Sequence, residues 1–306
     1  MRVAAIINAD GGTVRRAGPE AERERVAAAF AQHGLKGEIV LARGQDVTRE
    51  AARALDLATA GGLDAVAVGG GDGTIGAVAG LASGTGVPLG ILPLGTLNHC
   101  AKELEIPLAL DEAAAVIAAG TTRDIDVGEV NGRVFVNNSS VGVYPYMVLE
   151  RDRRMRGEGW GKWPAMTLAF LRMLRRFPRR RLYISAEGWA EPCRTPLVFI
   201  GNNEYEFGLL GLGKRARLDG GELSLYVARH RHPLALLGLV FRATFGRLDE
   251  AKDFTQHRAA AAEIRSRASR LPVTIDGEVV RLRPPLHYRI RPRALRVLGP
   301  RPNEAA

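Results

Sequence analysis

The chain has 306 residues, 46% hydrophobic and 25% charged, which excludes a disordered or fibrous polypeptide and leaves length for two cores. Lys and Arg (43) outnumber Asp and Glu (33), and the resulting formal charge of +10 favours anionic partners such as nucleotides, nucleic acid or an acidic lipid surface. Two cysteines, Cys100 and Cys193, make neither a disulfide framework nor a metal site, and no apolar run approaches the roughly 20 residues of a spanning helix.

The first third alternates strand and helix signals. Apolar runs at residues 3–7, 37–41, 65–68 and 88–92 read as strands, with helical patterns at 20–32, 47–59 and 75–81 between them. This β-α-β-α order predicts a parallel, layered α/β domain that binds ligands beyond the carboxyl ends of its strands. From about Ile125 the character changes. Short strands are expected at 126–130, 134–137, 141–144, 182–186, 197–201, 223–228, 272–275 and 279–282, interrupted by helices at 163–177 and 234–245. They point to a second, mainly antiparallel β domain. The expected boundaries are 1–124 and 125–306, with the last ~15 residues returning to the first domain and the site in the cleft between the two.

Residues 69–74, Gly-Gly-Gly-Asp-Gly-Thr, follow a short apolar strand and precede a helix. Glycine lets backbone approach a ligand closely, and a strand-to-helix junction presents free N–H groups to phosphate oxygens. Neither the Walker loop nor the dinucleotide fingerprint fits the spacing. A second turn, Pro93–Leu94–Gly95–Thr96–Leu97–Asn98, ends the next strand and offers backbone N–H groups, a hydroxyl and an amide to the same cleft. Near the other end, Asp276–Gly277–Glu278 lies between two strand runs. It reads either as a hairpin turn or as a carboxylate pair able to take, or help take, a proton from a hydroxyl nucleophile. Ser139 and Ser140 lack a nucleophile elbow and read as a polar strand end or cleft wall.

Taken in this order, with Thr122–Arg123–Asp124–Ile125–Asp126 between the second and third motifs, these segments resemble the diacylglycerol kinase catalytic family. That family includes bacterial soluble diacylglycerol kinases and YegS-like lipid kinases, with sphingosine and ceramide kinases as relatives. The resemblance implies a Rossmann-like N-terminal nucleotide-binding domain, a β-sandwich C-terminal domain, ATP in the cleft and phosphoryl transfer to a lipid hydroxyl, as in phospholipid synthesis. It assigns Asn8, Gly70, Gly71, Asp72, Gly73, Thr74, Thr96 and Asn98 to nucleotide binding. Asp276 and Glu278 fall to proton removal, and Asp126 to their support. Mg²⁺ is expected with ATP, since phosphoryl transfer asks mainly for positioning and charge neutralisation.

Three departures from the family stand out. The opening Asn-Pro-x-Ser-Gly is here Asn8–Ala9–Asp10–Gly11–Gly12; the acid after Asn98 is replaced by His99; and Leu-Asp-Asp-Gly becomes Leu218–Asp219–Gly220–Gly221. The lost acids belong to a structural Mg²⁺ network, and imidazole is a poor ligand for so hard a cation. Asp219 remains a weak candidate ligand, with His99 expected to supply a hydrogen bond or positive charge in place of the acid.

Residues 151–181 carry ten arginines, interleaved with Trp160, Trp163, Met166, Phe170, Leu174 and Phe177. This pattern suits peripheral attachment to an anionic membrane surface or packing of an apolar helix face on the β domain. The protein is expected in the cytoplasm, peripheral at the inner membrane face, without nucleic acid as a partner; a homodimer is left open. Rival readings are an NAD kinase-like phosphotransferase, a non-catalytic nucleotide- or lipid-binding homologue, and a basic nucleic-acid binder.

Overall fold

The computed structural model describes residues 1–146, 148–149, 180–205, 215, 217–228 and 254–300. Its contacts divide the chain into two units, Met1–Val127 with Pro292–Ala306, and Gly128–Arg291.

In the first unit, β1 (Val3–Asn8), β2 (Ile39–Ala42), β3 (Ala65–Gly69) and β4 (Leu89–Leu92) form a parallel sheet in the order β2-β1-β3-β4. Strands β1 and β3 are apolar at successive positions because helices cover both faces of the sheet. Helix α1 (Gly12–Ala17) and helix α2 (Pro19–Gln32) share one core with Val3, Ala5 and Ile7. Helix α3 (Asp46–Thr59) packs against α4 (Asp72–Ala82). Val47, Ala51, Ala54 and Leu55 of α3 recur at helical spacing and are the residues it buries. Short α5 (His99–Glu103) and α6 (Leu110–Ala119) follow β4, and α6 packs on α2.

Two strands contribute to both units: β5 (Thr122–Val130) and β16 (Leu286–Leu298). In the first unit, Val297 of β16 lies parallel to Leu89 of β4. Arg296 grips Asp124 with two hydrogen bonds of 2.8 and 3.0 Å, and the Arg293 N–H donates to Asp126 at 2.8 Å.

The second unit is an antiparallel sandwich. One sheet runs β12 (Phe254–Ala259), β11 (Leu223–Ala228), β10 (Leu197–Asn202), β7 (Asn138–Gly142), β14 (Leu271–Ile275), β15 (Glu278–Leu282). The other sheet pairs β16 with β13 (Ala261–Ser266), β13 with β8 (Arg180–Ala186), and β8 with β9 (Trp189–Thr195), while β6 (Arg133–Phe135) forms a hairpin with β5. Val141, Val198, Ile200, Leu225 and Val273 of the first sheet share a core with Leu182, Ile184, Ile264, Leu286 and Tyr288 of the second. The Tyr288 hydroxyl meets Ser139 Oγ at 3.1 Å inside this core. Tyr288→Phe leaves Ser139 buried without that partner and is expected to cost ~1–2 kcal/mol. Urea denaturation checks this; an unchanged midpoint contradicts it.

The structure differs from the sequence expectations in several places. The Thr122–Asp126 segment that carries the family resemblance and the strand expected at 126–130 form one long element, β5, because Asp124 and Asp126 are tied across to β16. Tyr144, expected in a strand, lies in a helical turn over residues 143–146. Four strands were not foreseen: β9, β12, β13 and β16. β9 and β12 are edge strands, so Pro192 and polar residues are tolerated there. Cys100 is buried and Cys193 half-buried, and neither forms a disulfide. The expected helices at 163–177 and 234–245, and the basic stretch apart from Arg180 and Arg181, lie outside the described residues. Among the described residues no helix is long and apolar enough to cross a membrane.

Candidate functional site

In the first unit, the predicted nucleotide residues gather at the carboxyl ends of β1, β3 and β4, where a parallel sheet opens to ligands. Gly70 and Gly71 leave β3, and Gly71 caps α4, whose first residues are Asp72, Gly73 and Thr74. Asn8, at the end of β1, donates from Nδ2 to Thr74 Oγ1 at 2.8 Å and accepts the Asp10 N–H on Oδ1 at 3.0 Å. Asp72 Oδ1 accepts the Cys100 N–H at 3.0 Å, joining the start of α4 to α5. The turn after β4 packs directly on the glycine loop. A Cβ built on Gly95 would fall 2.7 Å from Gly71 Cα and 3.0 Å from the Gly70 carbonyl oxygen. Only glycine allows two backbones this close.

Asn98 adopts a left-handed conformation (φ 51°, ψ 43°) and is buried. Its Oδ1 accepts the Gly95 N–H at 2.9 Å and its Nδ2 donates to the Pro93 carbonyl at 3.1 Å. Both ends of the amide thus close its own turn, so Asn98 shapes the backbone of the platform. Thr96 and His99 are exposed on that turn. Asn8, Asp72 and Asn98 brace three strand ends into one surface, whose open parts are backbone N–H groups and the Thr96 hydroxyl.

In the second unit, Asp276 and Gly277 form the two-residue turn between β14 and β15, with φ of 45° and 85°. Two positive φ values are what a type I′ hairpin requires, and Asp-Gly is the pair that accepts them. The turn aims the Asp276 carboxylate at the bend between β6 and β7. Oδ2 accepts the Val136 N–H at 2.8 Å, and Oδ1 accepts those of Asn137 and Asn138 at 2.8 and 3.1 Å. Burial pushes the carboxyl up to about 6, against the three N–H donors and the positive charge of Arg215, which pull it down. The hairpin and carboxylate readings of this motif are therefore compatible: the turn presents the carboxylate. Glu278 begins β15 and is exposed, paired across the turn with Ile275. Asp126 is fully buried on β5 in the first unit, against the Arg293 N–H.

Asp219 is in an ion pair with Arg217 at 3.3 Å. A Cβ on the neighbouring Gly220 would fall 2.8 Å from Asn203 Oδ1, so an acid at this position requires the buried Asn203 side chain to move. Among the described residues, no three His, Cys, Asp or Glu side chains are grouped to hold a metal. Among the described residues, the side chains present do not fit a protein-held Mg²⁺. Ser139 and Ser140 are buried within β7 and contact Tyr288 and Thr274. A cavity of about 710 Å³ in the second unit, lined by Glu129, Glu263, His287 and Arg289 among others, contains none of the residues predicted from sequence.

Sequence reasoning did not single out Arg215, Asn202 or the N–H groups of 136–138. Doubled asparagines at strand ends, Asn137–Asn138 and Asn202–Asn203, were the available signal, since asparagine in such places serves the backbone.

The fold recurs in a diacylglycerol kinase of Bacillus anthracis str. Sterne, with a TM-score of 0.66 over 98% of this chain and 97% of that one, at 19% identity. The family model of the diacylglycerol kinase catalytic domain matches residues 2–130, and that of the YegS C-terminal NAD kinase beta sandwich-like domain matches residues 160–299. A Pseudomonas aeruginosa protein named "Probable lipid kinase YegS-like" is 31% identical over 282 residues, covering 92% of this chain and 91% of its own length. A diacylglycerol kinase of Mycobacterium tuberculosis is 30% identical over 292 residues, covering 90% and 91%. The chain belongs to the diacylglycerol kinase and YegS-like family and is a lipid kinase.

Proposed function

We propose that the chain transfers the γ-phosphoryl group of ATP to the hydroxyl of diacylglycerol or a closely related lipid alcohol. The observation that carries this reading is the Asp276 carboxylate, fixed by three N–H groups with its proton affinity raised to about 6. Such a group is ionised at neutral pH yet basic enough to accept a hydroxyl proton. The name of the Mycobacterium tuberculosis relative supports diacylglycerol as the acceptor.

In the proposed reaction, the N–H groups of residues 70–73 at the start of α4, with the Thr96 hydroxyl, hold the ATP phosphates. Asn8, Asp72 and Asn98 keep that surface in shape. The lipid hydroxyl oxygen forms the new bond to the γ-phosphorus as the bond to the β,γ-bridging oxygen breaks and ADP leaves. The hydroxyl proton passes to Asp276, with Glu278, two residues along on β15, supporting it. Mg²⁺ brought in with ATP would supply charge neutralisation at the phosphates. The basic stretch 151–181 attaches the protein to the anionic cytoplasmic face of the membrane, where the lipid is.

Incubation with γ-labelled ATP and a total lipid extract tests the reading. Labelled phospholipid is expected from the wild type and almost none from Asp276→Asn. Equal labelling in both removes the assigned base. Label on NAD and on no lipid transfers the chain to the NAD kinase reading, and absence of any transfer overturns the kinase assignment.

A further inference from the structure

The Asp276 carboxylate rests on three consecutive N–H groups, those of Val136 and Asn137 in the bend after β6 and that of Asn138 at the start of β7. Their direction depends on whatever holds the other ends of the same peptide groups. The Val136 carbonyl and the Asn137 N–H belong to one peptide unit. Its oxygen accepts from Arg215 Nη1 at 2.7 Å and from Asn202 Nδ2 at 2.6 Å, while its N–H donates to Asp276 Oδ1 at 2.8 Å. The next unit, Asn137 carbonyl with Asn138 N–H, is built alike. The Asn202 N–H (2.9 Å) and the Tyr205 hydroxyl (3.0 Å) hold its oxygen, and its N–H meets Asp276 Oδ1 at 3.1 Å. Arg215 further donates to the Asn202 carbonyl and to Asn137 Oδ1, each at 3.3 Å, so one buried guanidinium ties the bend to the end of β10.

We propose that Arg215 is a positioning residue for the proton acceptor: it grips the carbonyl end of the peptide whose N–H end grips Asp276, and so sets both the place and the charge state of that carboxylate. The proposal rests on the reading of Asp276 as the base. A cation on the oxygen of a peptide group and an anion on its N–H polarise it in the same sense, so each strengthens the other's hydrogen bond. A planar fork reaches three acceptors at once, which the ammonium of lysine does less well. Among the described residues, the groups facing Asp276 are Arg215, the three N–H donors and, two residues along on β15, exposed Glu278; of these Arg215 is the cation. Removing it takes away a positive charge that favours the ionised carboxyl, so the proton is held more tightly.

Two variants and two readouts test this. Carbon-13 NMR of protein labelled at aspartate carboxyls, with the Asp276 signal assigned by its loss in Asp276→Asn, gives the titration midpoint without reference to activity. The pH profile of kcat/KM for ATP-dependent lipid phosphorylation gives the acidic limb. In Arg215→Met both are expected to move upward together by about one pH unit or more. In Arg215→Lys the midpoint is expected to stay within about half a unit, while kcat falls roughly tenfold with KM for ATP unchanged, because charge is retained and the fork is lost. An unmoved midpoint in Arg215→Met overturns the proposal. A moved midpoint with an unmoved acidic limb leaves Arg215 as the keeper of Asp276 and instead removes Asp276 as the base. Should Arg215→Met not fold, Arg215→Lys decides: kcat equal to wild type overturns the proposal.

Discussion

Asp276→Asn is expected to lower phosphoryl transfer to lipid by about 10²–10⁴-fold, with KM for ATP changed by less than about threefold. The amide can fill the space but cannot take a proton. It also has one acceptor oxygen where the carboxylate has two, so its NH₂ group faces an N–H that Asp276 Oδ2 or Oδ1 satisfied. A stability loss of ~1–3 kcal/mol is expected from that donor-to-donor contact. The wild-type rate should fall on the acid side with a midpoint near 6, where the carboxyl takes up its proton. Retention of full activity in Asp276→Asn would end its role as base.

The same group makes a specific contribution to pH-dependent stability. Its folded pKa, about 6, lies above its ordinary value of 3.8, so the native state holds the proton more tightly than the unfolded chain. The associated stabilisation is complete below the unfolded value and is lost as the pH rises through the folded one, a total on the order of 3 kcal/mol. Asp124 runs the other way, because its two bonds to Arg296 hold its carboxyl below the usual range. The comparison must therefore be a difference between wild type and Asp276→Asn across urea denaturation curves from about pH 4 to about pH 8. That difference should change across the window; a constant offset would show that Asp276 titrates as in the unfolded chain.

Gly95→Ala is the second large effect. The added Cβ would sit 2.7 Å from both Gly71 Cα and Asn98 Oδ1 and 3.0 Å from the Gly70 oxygen. Two of these three atoms are backbone and cannot rotate away, so the turn after β4 must separate from the glycine loop. Expected are a rise of about tenfold or more in KM for ATP and a stability loss of ~1–3 kcal/mol. Unchanged kinetics for ATP would show that the packing of the two turns does not shape the nucleotide surface.

The strands at 3–7, 65–68 and 88–92 were legible because both of their faces are covered, so each reads as an unbroken apolar run. β16 was not foreseen, though Leu286, Tyr288 and Ile290 alternate with His287, Arg289 and Arg291. Its polar face pairs with partners remote in sequence, such as Glu129, which holds Arg289 at 2.8 Å. The glycine loop and Asp276 announced themselves because glycine and an Asp-Gly turn are local necessities of backbone geometry. What Asn98 and Asn8 do was not legible: an amide's partner depends on which strand end lies beside it.

By itself the sequence determined the order of the parts: a glycine loop after a buried strand, a second Gly-Thr turn one β-α-β unit later, and a late Asp-Gly hairpin. These follow from local rules of φ, ψ and hydrophobic period, which act over a few residues. Only the tertiary structure decided that Gly95 packs on the glycine loop, that Gly220 lies against Asn203, and that Asp276 is seated on 136–138 with Arg215 behind it. The pairing of Asp276 with residues some 140 positions away sets its proton affinity, because burial and hydrogen bonding act through space.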